Sequence, residues 1–501
     1  MTADLDPFFA ALRQDADAVP TGVPAVARRR GRSRTLRTVA GAAAGVLVLV
    51  GGVGVAVRGG SGSDPDIAPQ PVASHSVPGP VIPFGSLRQV GEAVTVDGPT
   101  RVTTIPTTAD RAFVGRQTED DGKLTVTAIN LSNGRVAWGP KTIGTFGDAA
   151  FVSWHPRYVI ASGRHDAGVR PDGSVTVLDQ KNGKVLMRVD VNNFEEDHVI
   201  IGESLMIIDS RLDRTIRAYD LATGKVQWSL PDGGNPTVHL MADSSTAAMG
   251  DVNSNRGRFS PGADFGFTRI VQVTTDGTAI VRNARTSAEV SRHPKAADPA
   301  GQDAHDEMLT IDGVLYTSRI NATAVIRATD LRPGGATRQL YTNDAASAHS
   351  LTPCGTGRLC FTEFAEGDRS GKYGLTSIST TDGKVAWRRN VESRDLRTVN
   401  GLLLVSISPG QSDMVSTVTD SDGREVLSAE GRRGDAYWLD TNALIIFRGF
   451  GKNGYEVFAT SPIAADPVLL GEVDGVGECG WNTTHLICVA SGQIKVWGFT
   501  K

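Results

Sequence analysis

Ala218-Tyr-Asp-Leu-Ala-Thr-Gly224-Lys-Val-Gln-Trp228 is the stretch on which the reading of the fold turns. A β-prone run ends at Asp220 and a turn ends at Gly224. Lys225-Val226-Gln227-Trp228 then alternates with the period of two of a half-buried strand. Thr-Gly puts a positive-φ residue at the turn, as a hairpin between twisted strands requires.

The unit recurs. It reads Ala128-Ile-Asn-Leu-Ser-Asn-Gly134-Arg-Val-Ala-Trp138, then Val177-Leu-Asp-Gln-Lys-Asn-Gly183-Lys-Val-Leu-Met187, and later Ser377-Ile-Ser-Thr-Thr-Asp-Gly383-Lys-Val-Ala-Trp387. Weaker copies are Val273-Thr-Thr-Asp-Gly277 and Val418-Thr-Asp-Ser-Asp-Gly423-Arg-Glu-Val-Leu427. Successive turn glycines lie 49, 41, 53, 106 and 40 residues apart. The long gap calls for a degenerate unit near Leu331–Gly335, and another is expected near Ser461–Leu470. Each interval has room for four short strands, and helical periodicity is nearly absent. Four-stranded sheets at this spacing pack radially, burying both faces of each sheet. The expectation is an all-β chain, a β-propeller of about eight four-stranded blades preceded by one transmembrane helix. Leu87–Val96 would complete the last blade beside Gln493–Phe499 and join the two ends. An array of β-sandwiches is the rival arrangement.

The unit Thr223-Gly224-Lys225-Val226-Gln227-Trp228 resembles the repeat of the pyrroloquinoline-quinone (PQQ)-like β-propellers, over about residues 86–500. The resemblance implies that Trp138, Trp228 and Trp387 dock between neighbouring blades, and that the chain is a binding or scaffolding protein. The enzymes of that family carry a vicinal cysteine pair, and no two cysteines here are adjacent. Nor do their calcium ligands or catalytic Asp align with particular residues. The expected catalytic, cofactor and metal residues are therefore none.

The four cysteines form two close pairs, Cys354/Cys360 and Cys479/Cys488. Each pair brackets a hairpin that brings its Cα atoms within disulfide range. Spacings of six and nine do not suit zinc, and two disulfides suit an oxidising compartment.

Thr38–Val57 is an uncharged run of twenty residues, long enough as a helix to span about 30 Å of hydrocarbon. Six arginines fall within Arg28–Arg37, against Arg58 on the far side, so the positive-inside rule places 1–37 in the cytoplasm and 58–501 outside. The segment reads as an uncleaved signal anchor. Gly41 and Gly45 form a GxxxG pattern that permits close helix pairing. The division is thus a cytoplasmic tail (1–37), a transmembrane helix (38–57), a Pro/Gly/Ser-rich linker (58–83) and an extracytoplasmic propeller (84–501) in the cell membrane.

Net charge is −4, and seven Arg against four Asp give residues 1–37 a charge of +3, leaving −7 for the remainder. That balance argues against nucleic acid as a partner. In the tail, Asp6 as N-cap and Pro7 begin a short helix whose Phe8, Phe9 and Leu12 share one face. A helix of this length wants a partner, either the bilayer surface or a cytoplasmic protein bound by residues 6–17. The run Phe9-Ala-Ala-Leu12-Arg13-Gln-Asp15-Ala-Asp17 and the arginines after it resemble the leader of actinobacterial transmembrane regulators linked to sigma factors. The preference for Arg, with 11 Lys among 51 basic residues, resembles the same source.

Other polar clusters read as solvated loops: Asp303-Ala-His305-Asp306-Glu307, and Arg164-His165-Asp166. Asn321 and Asn482 head glycosylation-type triplets. A Ser/His/Asp triad has no support from spacing.

Overall fold

The computed structural model describes residues 85–499 except 97–99, 148–149, 154, 166–172, 192–197, 211–213, 232–235, 244–264, 300–305, 320–322, 366–372, 392–395, 400, 408–414, 428–434, 440–442, 450–453, 462–466 and 475–477. The segment Thr38–Val57 and the residues Phe8, Phe9, Leu12, Gly41 and Gly45 lie outside the described residues. Among the described residues the regular structure is all strand, and no helix is long and apolar enough to cross a membrane.

The strands form nine antiparallel sheets. Blades 1 to 8 span 100–145, 150–191, 198–231, 237–293, 306–343, 346–391, 396–427 and 435–474, each with four strands in chain order. The sequence dictates where each strand sits. Middle strands carry consecutive apolar residues and are largely buried, as in Leu205–Ser210, which is buried at every position. Fourth strands alternate, as in Val226–Pro231. First strands of successive blades pack on one another, so they are innermost and the fourth strands form the rim.

Nine apolar clusters hold the ring, and each straddles one junction between blades. One of them closes the circle, packing Ile487, Val489, Ile494 and Val496 of blade 9 against Ile105, Ala112, Val114 and Ile129 of blade 1. Blade 9 takes Cys479–Trp481, His485–Ala490 and Gln493–Phe499 from one end of the propeller. Leu87–Gln89 and Val94–Thr95 supply its rim strand, with Leu87 opposite Phe499 and Val94 opposite Ile494. The expected sealing of the ring by Leu87–Val96 is present. Asn482 adds to it, donating from Nδ2 to the Thr108 carbonyl (2.6 Å).

One expectation is sharpened and another needs correction. The blade number is nine, within one of the eight expected. Hairpins between third and fourth strands mark only blades 1 to 8, and blade 9 is joined from separate ends, so it has no such turn to count. Gly277 is also not a copy of the repeat turn, because it joins the second and third strands of blade 4. The equivalent turn there is Asn283–Ser287, with Ser287 at φ +59 in the glycine's place. Its bonds from Ser287 N to Asn283 O and from Asn283 N to Ala288 O (both 2.9 Å) match those around Gly224. The glycine search missed it because serine there carries the αL conformation at some cost. The degenerate unit near Leu331–Gly335 is the corresponding turn of blade 5.

The rim residue opposite the third strand docks on the turn of the next blade. Trp138, opposite Ala128, donates from Nε1 to the Gln180 carbonyl (2.8 Å), and its ring covers Gly183, where an added Cβ would lie 2.6 Å away. Trp228 donates likewise to Ala284 (3.0 Å) and Trp387 to Ser421 (2.9 Å). Trp138 is buried, so Trp138→Ala should cost about 3–5 kcal/mol in chemical denaturation. Trp138→Phe keeps the packing and loses one hydrogen bond, so it should cost about 1 kcal/mol.

Candidate functional site

The strand order gives the ring two unlike ends. The repeat turns lie at one end, together with Leu87 and Phe499, so the chain enters and leaves the propeller there. The other end carries the connections between blades and those between second and third strands. An acidic run, Glu119-Asp120-Asp121, falls in one of these connections, and Asp474 ends the fourth strand of blade 8 at the same end.

A cleft of about 420 Å³ opens at this second end, lined by Arg101, Gln117, Thr118, Glu119, Asp120, Asp121, Gly122, Phe146 and Gly147. Gln117, buried, fixes its floor by donating from Nε2 to the carbonyls of Phe146 (2.7 Å) and Gly147 (2.5 Å). Asp121 accepts from the Thr118 hydroxyl and from Lys123 N (3.0 Å), and these bonds, the hydroxyl first, hold its carboxyl below the usual range. The three carboxyl side chains are exposed, so the chemistry offered is contact with cationic groups. Beside it Arg164 ends a strand and His165 stacks on Phe146 (5.2 Å) with Nδ1 2.8 Å from the Thr145 carbonyl.

Polar groups also meet between blades 5 and 6. Asp306 and Glu307 begin the first strand of blade 5, whereas Asp303 and His305 lie outside the described residues. Ser347 Oγ is 3.2 Å from His349 Nε2, and His349 Nδ1 is 3.8 Å from Glu307 Oε1. Ser350, at φ +56, interrupts the strand register, and Leu351 N donates to Glu307 Oε2 (3.0 Å). The residue types are those of a hydrolytic triad. However, the His349–Glu307 distance exceeds a hydrogen bond, and Ser347 and His349 are buried with the imidazole against Phe364 (4.7 Å). The geometry serves as a polar tie between two inner strands.

Deeper in the same junction Glu363 is buried and fully bonded. Its Oε1 accepts from the Tyr341 hydroxyl (2.7 Å) and Asn343 Nδ2 (2.8 Å), and its Oε2 accepts from the Thr376 hydroxyl. Arg388 Nε lies 3.7 Å from Oε2. Burial first, then donation to Glu363, pushes the Tyr341 phenol up to about 12. Every partner is used within the protein, which marks a structural network.

Both cysteine pairs are bridged, Cys354–Cys360 beside the first-to-second strand turn of blade 6 and Cys479–Cys488 across the closing blade. Asn482 is buried in the ring closure and Asn321 lies outside the described residues. Among the described residues, no three metal-capable side chains converge.

Sequence reasoning missed two residues that do the work of the repeat tryptophans and one further tie between blades. Arg338, opposite Ala328, donates from Nη2 to the Thr380 carbonyl (2.6 Å). Ser291, opposite Val281, donates to the Leu331 carbonyl (2.7 Å). Trp481 ties blade 9 inwardly to blade 8, donating to the Trp438 carbonyl (3.2 Å). Only strand register reveals the first two.

His155 also ties blade 2 to blade 3. Its Nδ1 accepts from Arg157 N and Tyr158 N (3.1 Å each), which puts the proton on Nε2, 3.0 Å from the Gly202 carbonyl. Burial pushes its pKa down to about 4 from 6.5. The unfolded chain takes up this proton first, so the contribution is complete above about pH 6.5 and is lost as pH falls towards 4. The loss should reach about 3 kcal/mol across that window. Urea unfolding at stepped pH checks it: His155→Asn should be weaker at pH 7 and show a shallower acid decline than the native chain.

Comparison with known proteins agrees with this architecture. The family model described as outer membrane protein assembly factor BamB matches residues 122–389, more than half of the chain. A solved BamB from Moraxella catarrhalis is 13% identical, over 82% of this chain and 98% of that one, with a TM-score of 0.34. A eukaryotic initiation factor is 8% identical over 77% of this chain and 90% of that one, with a TM-score of 0.50. The computationally designed Ika8 protein is 14% identical over 83% and 100%, at 0.41. At such identities the likeness is one of fold. No curated protein matches the sequence. The repeat, its docking residues and the matched span together place the chain in the PQQ-like propeller family described as outer membrane protein assembly factor BamB.

Proposed function

We propose that the chain is a non-enzymatic, membrane-tethered, extracytoplasmic propeller that acts as a binding or scaffold module for a protein or cell-envelope ligand. The observation that carries this reading is the unlikeness of the two ends of the ring. Leu87 and Phe499, the outermost paired residues of the propeller, lie at the hairpin end, and the opposite end keeps the acidic Glu119–Asp121 connection and its open cleft for a partner. The family's description as an assembly factor supports a scaffold. Two disulfides support an oxidising compartment. The run Thr38–Val57 after six arginines supports a single membrane pass with the N-terminus inside.

The full chain expressed in its host should sediment with membranes, and protease added outside should digest only the propeller side. Affinity capture under these conditions should recover an envelope protein that Glu119→Lys with Asp121→Lys releases. The reading falls if the chain is soluble, or if added pyrroloquinoline quinone and calcium give dye reduction above background.

The shared apolar face of Phe8, Phe9 and Leu12 favours a second reading, a regulator that reports ligand binding to a cytoplasmic partner such as a sigma-linked protein. A peptide of residues 1–37 should then capture one partner that Phe9→Ala abolishes. Capture of anionic vesicles alone would assign the tail to the bilayer.

A further inference from the structure

Among the described residues, seven junctions of the ring pair a rim strand with the third-to-fourth hairpin of the following blade. The junction from blade 8 to blade 9 cannot, because blade 9 has no such hairpin: its third strand ends at Phe499 and its rim strand begins at Leu87. The docking position differs there as well. Opposite Val457, where other blades carry Trp138, Met187, Trp228 or Trp387, blade 8 has Gly471. Leu87 reaches towards it, and its Cβ would sit 3.4 Å from a Cβ added at Gly471, ordinary contact and no clash.

Gly471 thus leaves the place of an indole without a side chain from blade 8. Its strand neighbours are uncovered: Val468 is 45% exposed and Leu469 50%, two consecutive large apolar residues on one rim strand. Elsewhere the rim exposes single valines, such as Val136 or Val385. Consecutive exposed residues of this kind call for a cover.

We propose that the end of the linker, Val81-Ile82-Pro83-Phe84, docks on this edge, with Leu87 beside Gly471 and Phe84 covering Val468 and Leu469. Three observations favour this occupant. The described chain begins at Gly85, two residues before the contact with Gly471. The rim strands of blades 8 and 9 run in the same direction, so three residues before Leu87 come level with Val468, three before Gly471. The segment itself is uncharged, with three large apolar side chains in four residues, and its proline suits an extended path without a donor to the edge. The dock fixes the junction at which the linker leaves the ring and holds the acidic end away from it.

Full-length chain carrying Phe84→Cys and Leu469→Cys, treated with a short bis-maleimide, tests the proposal. A cross-linked monomer joining peptides of residues 84 and 469 is expected, at several times the yield of a Ser76→Cys, Leu469→Cys control. A cross-linked dimer would give the edge to a second copy and overturn the assignment, as would equal yield in the control. Folding is checked independently of the cross-link, since both variants should keep native melting to within a few degrees. Phe84→Ala and Leu469→Ala should each lower melting, and together by less than their sum.

Discussion

A blade of four strands cannot stand alone, because both of its faces are apolar and each needs a neighbour. The contact that meets this need at the rim is the seat of one strand's side chain on the next blade's turn. The turn must bring its backbone close, which requires the αL position held by Gly183 or Gly423. The docking side chain must also satisfy the carbonyl that the turn leaves pointing outward, at Gln180, Ala284, Leu331, Thr380 or Ser421. Indole does both at once, with a flat apolar surface and one N–H. Arginine at 338 and serine at 291 keep the donor and give up some of the surface.

Stability of such a ring sums over neighbouring pairs, but closure makes the sum cyclic. The seal between blades 9 and 1 is therefore as important as any single hairpin, and it carries extra ties. Val90, Val94 and Val96 add apolar surface to that junction, and Asn482 bridges it with a hydrogen bond. The Cys479–Cys488 bridge pins the two inner strands of the closing blade to each other. That bridge closes a short loop within one stretch of chain, so it orders the inner strands of the blade, and the joining of its distant rim strand rests on strand pairing and packing.

Much of the fold was legible because turn chemistry and side-chain alternation are local. Asn-Gly, Thr-Gly and Asp-Gly marked five hairpins in their true places, and the apolar runs between them marked the middle strands. What failed was anything decided by register. Gly277 imitates the motif yet turns at the wrong end of the blade, while Ser287 performs the glycine's part without its signature. Arg338 and Ser291 look like surface residues until pairing puts them in the tryptophan row. The ninth blade escaped the count for a related reason, since its strands never meet in the sequence. The polar contacts between blades 5 and 6 were equally hidden, because Glu307, His349 and Glu363 come together only through packing. The acidic run Glu119–Asp121 was visible in the sequence, and its place at one end of the ring needed the topology.

The central claim is that nine sheets surround one axis and that the strand after the linker completes the last of them. A crystal structure or a high-resolution cryo-EM map of the chain tests it most directly. It should show nine four-stranded blades, with Leu87 paired to Phe499 and Val94 to Ile494. Eight blades, or a final sheet closed by any other strand, would contradict it.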